Sequence, residues 1–116
     1  MIAFHGKQEI KAQKSVSLVR KYFKRLGYTA TSKSNVKSNG YDLVIIKGSK
    51  SFAVEIKTAF YSCRSWQVGK TFNTKNDFIA IVMPNNIIHI EDWESHREKC
   101  NKNGKRTLTK IVNLYV

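Results

Sequence analysis

Asp42, Glu55 and Lys57 are the residues of this chain whose types and spacing best suit chemistry. They fall in two apolar segments, Tyr41 to Lys47 and Ser51 to Thr58, rich in β-branched and aromatic residues and separated by Gly48-Ser49-Lys50, which predicts a β-hairpin. Successive strand residues point to opposite faces, so Glu55 and Lys57 share one face with Ala53. A two-residue Gly48-Ser49 turn pairs Lys47 with Lys50 and, five pairs on, Asp42 with Glu55. A four-residue loop with Ile46 opposite Ser51 gives the same register, whereas a three-residue loop pairs Asp42 with Ile56 and sends the carboxylates to different faces. In the first two cases the Cβ atoms face each other at roughly 4.5 to 5.5 Å, where like charges repel. A divalent cation held by both carboxylates offsets that repulsion, and Lys57 adds further positive charge. The competing reading is a surface ion-pair cluster, but both strands are too apolar to be comfortably solvated on either face.

The elements around the hairpin must position these groups. From Gly6 to Leu26, Ala12, Val16, Val19, Phe23 and Leu26 recur in steps of four and three, predicting one buried helix face that Gly27 terminates. Lys7, Lys11, Lys14, Lys21 and Arg25 form a basic stripe on nearly the opposite side, either merely solvated or facing a polyanion. Glu9 falls on the inward stripe; it is a candidate third acid, or a first-turn glutamate favoured by the helix dipole. Tyr28 to Ser32 reads as a short strand and Lys33 to Gly40 as a loop whose Lys33 and Lys37 can reach phosphates.

Phe60 to Asn76 shows no clear period and reads as a long loop mixing Tyr61, Arg64, Trp66, Lys70, Phe72 and Lys75 with small polar residues. Its aromatics can stack on nucleobases while its cations meet phosphates, or Trp66 and Phe72 can simply cap the core. Asp77 to Met83 and Ile87 to Ile90 read as two strands around a Pro84-Asn85-Asn86 turn. Asp92 or Glu91 can cap a helix running to about Asn101, and a terminal strand from Leu108 to Tyr115 closes the chain. The expected fold is therefore a single mixed α/β domain over residues 1–116: a central mixed β-sheet flanked by helices, in the order helix, hairpin, loop, hairpin, helix, strand.

This arrangement resembles the PD-(D/E)XK nuclease superfamily, whose restriction-endonuclease-like core carries a Glu on a helix, then an Asp and an E-x-K on a hairpin. Glu9, Asp42 and Glu55-Ile56-Lys57 match those positions, with Tyr41 where the nominal motif has Pro. The resemblance spans roughly the first ninety residues in element order, and looks closest to small archaeal-type Holliday-junction resolvases and the group I intron homing endonucleases of this superfamily. It implies that Asp42, Glu55 and the Ile56 carbonyl hold Mg²⁺, with Mn²⁺ as a possible substitute. Lys57 would then orient or help deprotonate the attacking water and stabilise charge growing on the phosphorane. It also implies that Gln67 approaches the site, as glutamines following E-x-K do in some members. Phosphodiester hydrolysis needs this same set: a polarising metal, an activated water and preorganised positive charge.

Composition narrows the partners. Against 8 Asp and Glu stand 21 Lys and Arg, for a net charge of +13, which favours DNA or another polyanion through phosphate neutralisation. The basic residues are spread along the chain and not clustered beside an apolar segment, which argues against a membrane surface. A hydrophobic fraction of 41% supports a packed core. Cys63 and Cys100 lack zinc-ligand spacing and read as free thiols of a reducing, intracellular compartment. His5, His89 and His96 show no ligand spacing, and Glu91, Asp92, Glu94 and Glu98 gather at one helix start, on a face expected to point away from DNA. The leading expectation is a metal-dependent endodeoxyribonuclease acting as a homodimer or higher homo-oligomer, assembled through the terminal strand or last helix. The alternatives are a catalytically silent DNA- or RNA-binding module on the same fold, and a ribonuclease.

Overall fold

The computed structural model describes residues 2–32, 43–69 and 76–115. The first helical repeat folds as α1, Ile2–Arg25, burying Val19 and Phe23 while Lys14, Lys21 and Arg25 stay exposed. Gly27 ends it at φ 91°, a left-handed conformation that glycine adopts without steric cost. Its N–H donates to the Lys24 carbonyl at 3.0 Å and the Tyr28 N–H to the Phe23 carbonyl at 3.0 Å, the paired bonds of a Schellman cap. The rings of Phe23 and Tyr28, edge to face at 5.6 Å, complete the motif. Leu26, expected on the buried stripe, is 48% exposed because the chain has already left the helix there.

The strands β1 (Thr29–Ser32), β2 (Leu43–Lys47) and β3 (Lys50–Thr58) run antiparallel in sequence order. Gly48, at φ 64° in the first position of the two-residue turn, supplies the positive φ that a II′ hairpin turn requires. Lys47 pairs with Lys50 and Leu43 with Val54, which is the register of the two-residue turn. Asp42, together with Lys33, Lys37, Lys70 and Lys75, lies outside the described residues.

The segment expected as one long loop instead folds, over its described part, into a second hairpin of β4 (Phe60–Ser62) and β5 (Ser65–Val68). The chain returns to the main sheet in β6 (Phe78–Met83), parallel to β3, and turns through Pro84–Asn86 into β7 (Ile87–Asp92). Helix α2 (Trp93–Lys99) follows, its first turn capped by the Asp92 carboxylate, which accepts from the Ser95 N–H at 3.3 Å. Strand β8 (Arg106–Thr107) joins β5, giving a three-stranded sheet β4-β5-β8 beside the five-stranded sheet β1-β2-β3-β6-β7.

The expected terminal strand is a helix, α3 (Thr109–Tyr115). Leu108 and Val112, four apart, are both buried, Ile111 packs beside them and Leu114 is 82% exposed: a period of 3.6, not 2. The β-branched pair Ile111-Val112 suggested a strand, but burial of one helix face outweighs that weak propensity.

Strand β6 has no polar residue because both its faces are covered. Ala80 and Val82 join Val19, Phe23, Leu43, Ile45, Val54 and Ile56 under α1. Ile79, Ile81 and Met83 join Val68, Trp93, Leu108 and Val112 on the other side. Asp77 locks the start of this strand, its carboxylate accepting from the Ala53 N–H at 2.7 Å and its own N–H donating to the Ala53 carbonyl at 2.9 Å.

The helical assignment of α3 predicts opposite outcomes for two leucines. Leu108→Ala should cost about 2–5 kcal/mol in chemical denaturation, whereas Leu114→Ser should shift stability by less than about 0.5 kcal/mol. Strong destabilisation by Leu114→Ser would contradict the helix, since a strand sets positions 112 and 114 on the same face.

Candidate active site

Glu55 and Lys57 stand two residues apart on β3, flanked by β2 and β6, on the sheet face opposite α1. Glu55 is only 8% exposed, and its Oε1 lies 3.8 Å from the Lys57 Nζ. The pair is therefore mostly withdrawn from water, unlike a surface ion pair, and burial in this setting strengthens the field each charge exerts on the other. Ile56, between them, points to the α1 face and is buried at 8%. One residue on, the Thr58 Oγ1 meets the Ser15 Oγ at 2.6 Å and ties α1 to the end of β3. Glu9 lies on α1 nearly two turns before Ser15, and its side chain is not among those described.

A cleft of about 870 Å³ opens at this end of the sheet. Lys14 and Ser15 of α1, Lys57 and Thr58 of β3, Tyr61 and Trp66 of the β4–β5 hairpin and the Pro84–Asn86 turn line it. Trp66 serves two surfaces at once, packing on the apolar cluster around Ile79 and Trp93 and lining the cleft. Tyr61, its cross-strand partner, meets the indole in an edge-type contact with ring centroids 5.6 Å apart. Arg64 is exposed at the hairpin tip, where Cys63 and Arg64 take φ values of 52° and 66°, the left-handed pair of a I′ turn, with neither position a glycine. The side-chain amide of Gln67 donates to the Ser62 carbonyl at 2.8 Å and to the Ser65 Oγ at 3.2 Å, so its nitrogen is engaged in holding that turn.

Register continues the polar face across the sheet. Glu55 neighbours Ile79, which neighbours Glu91; Lys57 neighbours Ile81, which neighbours His89. Glu91, expected with other acids at a helix start, is instead a β7 residue whose carboxylate is 10% exposed. It accepts from Lys99 Nζ at 2.8 Å, Ser95 Oγ at 2.9 Å and Arg106 Nη2 at 2.9 Å, and pairs with His89 Nε2 at 2.7 Å. Burial pushes its carboxyl up, and the bonds from Lys99, His89, Arg106 and Ser95 together overcome this and hold it well below the usual carboxylate range. The strand alternation signals this placement: Ile88 and Ile90 pack under α1, so His89 and Glu91 must face the other side.

Arg106 Nη1 lies 3.1 Å from His96 Nδ1, and both residues are buried. A guanidinium only donates, so Nδ1 is the unprotonated nitrogen and Nε2 carries the hydrogen toward the Cys100 Sγ at 3.5 Å. That tautomer cannot take a proton from the thiol at Nε2, which argues against a Cys–His nucleophile here. Burial, reinforced by the Arg106 charge, lowers the His96 pKa to about 4.

The five-stranded mixed sheet flanked by helices is similar to that of a solved bacterial homing endonuclease, I-Ssp6803I. The two align with a TM-score of 0.68 over 86% of this chain and 76% of that one, at 11% identity, so the likeness is one of fold. No protein-family model and no curated protein matches the sequence.

The His96 environment makes stability acid-labile. The unfolded imidazole gains its proton near pH 6.5 and the folded one resists to about 4, so stability is lost as pH falls through that window, by about 3 kcal/mol in all. His96→Asn, which keeps an acceptor for Arg106, should flatten the slope of melting temperature against pH between 7 and 4.5. A slope unchanged by that substitution would contradict the assignment.

Proposed function

We propose that this chain is a magnesium-dependent endodeoxyribonuclease of the PD-(D/E)XK type, with Mn²⁺ able to substitute. The observation that carries the reading is the register of the β2–β3 hairpin. Its last described pair is Leu43 with Val54; were the same register to continue, Asp42 would pair with Glu55, which shares a face with Lys57. The fold likeness to a homing endonuclease supports the same reading.

The donors suit a hard cation: the Glu55 carboxylate and the Ile56 carbonyl offer oxygen, and Asp42 would add a second carboxylate. Among the described residues no group of three or more acidic, His or Cys side chains is placed to hold a metal ion. When bound, the ion polarises a phosphoryl oxygen. Lys57, held near Glu55 at 3.8 Å, directs its ammonium to the attacking water and to the charge that grows on the phosphoryl group. Glu9 is retained as an additional acid. The net charge of +13 favours DNA, with Arg64, Trp66, Gln67, Lys33, Lys37, Lys70 and Lys75 as the proposed contact residues.

One such centre cuts one strand, so cleavage of a duplex or junction calls for a homodimer with two-fold symmetry. The proposed contact lies in the C-terminal segment, at α2 or at α3, which stands in place of the expected terminal strand.

Supercoiled plasmid, linear duplex and a four-way junction, incubated with and without Mg²⁺, test the reading. Cleavage should require the metal, and Lys57→Ala or Glu55→Ala should slow it by about 10²- to 10⁴-fold while leaving DNA binding within a few-fold. Cleavage that survives chelation or the loss of Lys57 would overturn the mechanism. Tight DNA binding without any cleavage would instead identify a silent binding module, and preferential competition by RNA would redirect the substrate.

A further inference from the structure

We propose that the cleft beside Lys57 is a nucleotide pocket: it takes one DNA nucleotide unstacked from its strand, with the base on Trp66 and the flanking phosphates at Lys14 and Lys57. This deepens the nuclease reading and rests on it for the substrate class. DNA presenting an unpaired nucleotide next to the cut is bound in preference to continuous duplex.

Shape and chemistry both point this way. The cleft, of about 870 Å³, is large enough to take one nucleotide. Trp66 is partly buried, backed by the core and in edge-type contact with Tyr61, so the indole is held in place where it lines the cleft, and a fixed aromatic ring can stack bases of any sequence. Two cations reach the same space from different elements, Lys14 from α1 and Lys57 from β3, and the Ser15–Thr58 hydrogen bond fixes the spacing of those elements. That disposition matches an anionic backbone passing a stacked base.

The Pro84–Asn86 turn supplies the third component. Asn85 and Asn86 have φ values of 64° and 61°, are exposed, and border the cleft. Asparagine tolerates left-handed backbone better than other non-glycine residues, so the β6–β7 turn carries two exposed carboxamides at the border of the cleft. A carboxamide offers a donor and an acceptor together, which suits the edge of an unpaired base and above all the N6/N7 edge of adenine.

Direct binding in EDTA tests the pocket without cleavage. The probes are a 20-base-pair duplex and the same duplex with one unpaired 2-aminopurine (for fluorescence), one unpaired adenine or one unpaired pyrimidine (for discrimination). The bulged probes should bind at least about tenfold tighter than the paired one, and 2-aminopurine fluorescence should fall on binding as the base stacks. Trp66→Leu should abolish both the preference and the quenching, while Trp66→Phe, which keeps a ring, should retain most of each. Asn85→Gly with Asn86→Gly keeps the left-handed backbone and removes the amides, so purine over pyrimidine discrimination should disappear while stacking persists. Equal affinity for paired and bulged probes, or a preference that survives in a folded Trp66→Leu protein, would overturn the proposal. Because no step requires Mg²⁺, absence of cleavage would fell the nuclease reading and leave these results standing, and the converse holds.

Discussion

Strand β6 is the constraint from which the architecture follows. Six consecutive apolar residues in an extended strand present side chains to both faces of a sheet, so each face must be covered. One layer is α1, whose Val19 and Phe23 sit over Ala80 and Val82. The other is assembled from pieces too small to stand alone: a three-stranded sheet whose third strand has two residues, and two helices of seven. These converge on Ile79, Ile81 and Met83. Because β3 pairs with β6 in parallel, the same constraint withdraws Glu55 from water and leaves Lys57 at the rim where the second layer parts into a cleft.

Charge is admitted to that second layer on strict terms. Glu91 is surrounded by Lys99, His89, Arg106 and Ser95, so one carboxylate stitches β7, α2 and β8 together. Removing any one donor leaves a buried charge less well satisfied, which costs more than the net worth of the bond in the intact network. The same arginine fixes the tautomer of His96, and the charge of Lys57 adds to the field against its protonation. The polar network and the Glu55–Lys57 pair thus share a face and an electrostatic environment, separated by the apolar row of Ile79 and Ile81.

What could be read from the sequence was what is periodic or local. The α1 stripe, the glycine that ends it, both main-sheet hairpins, the Asp92 cap and the register that Gly48-Ser49 imposes follow from spacing and turn chemistry. The β4–β5 hairpin was not legible, because its turn carries Cys63-Arg64 where Asn-Gly would have announced it, and its strands are three and four residues long. The pattern of Leu108, Ile111 and Val112 was helical all along, but its β-branched pair suggested a strand. Of the candidate residues, Glu55 and Lys57 come together on β3, and Lys57 and Trp66 line one cleft, whereas Gln67 faces its own turn. The long-range partners of Glu91 could not be read, since nothing in the sequence around Arg106 says that it folds back against β7.

The division of the core into two layers also imposes an order on synthesis. Helix α1 precedes the sheet, so its face can be sealed as soon as β7, with Ile88 and Ile90, has left the ribosome. The opposite face waits for residues that follow β7. A nascent chain that has reached α2 but not β8 lacks Leu108 and Val112, and part of the Ile79, Ile81 and Met83 strip remains open to water. The surface that carries Glu55 and Lys57 is therefore the later of the two to mature during translation.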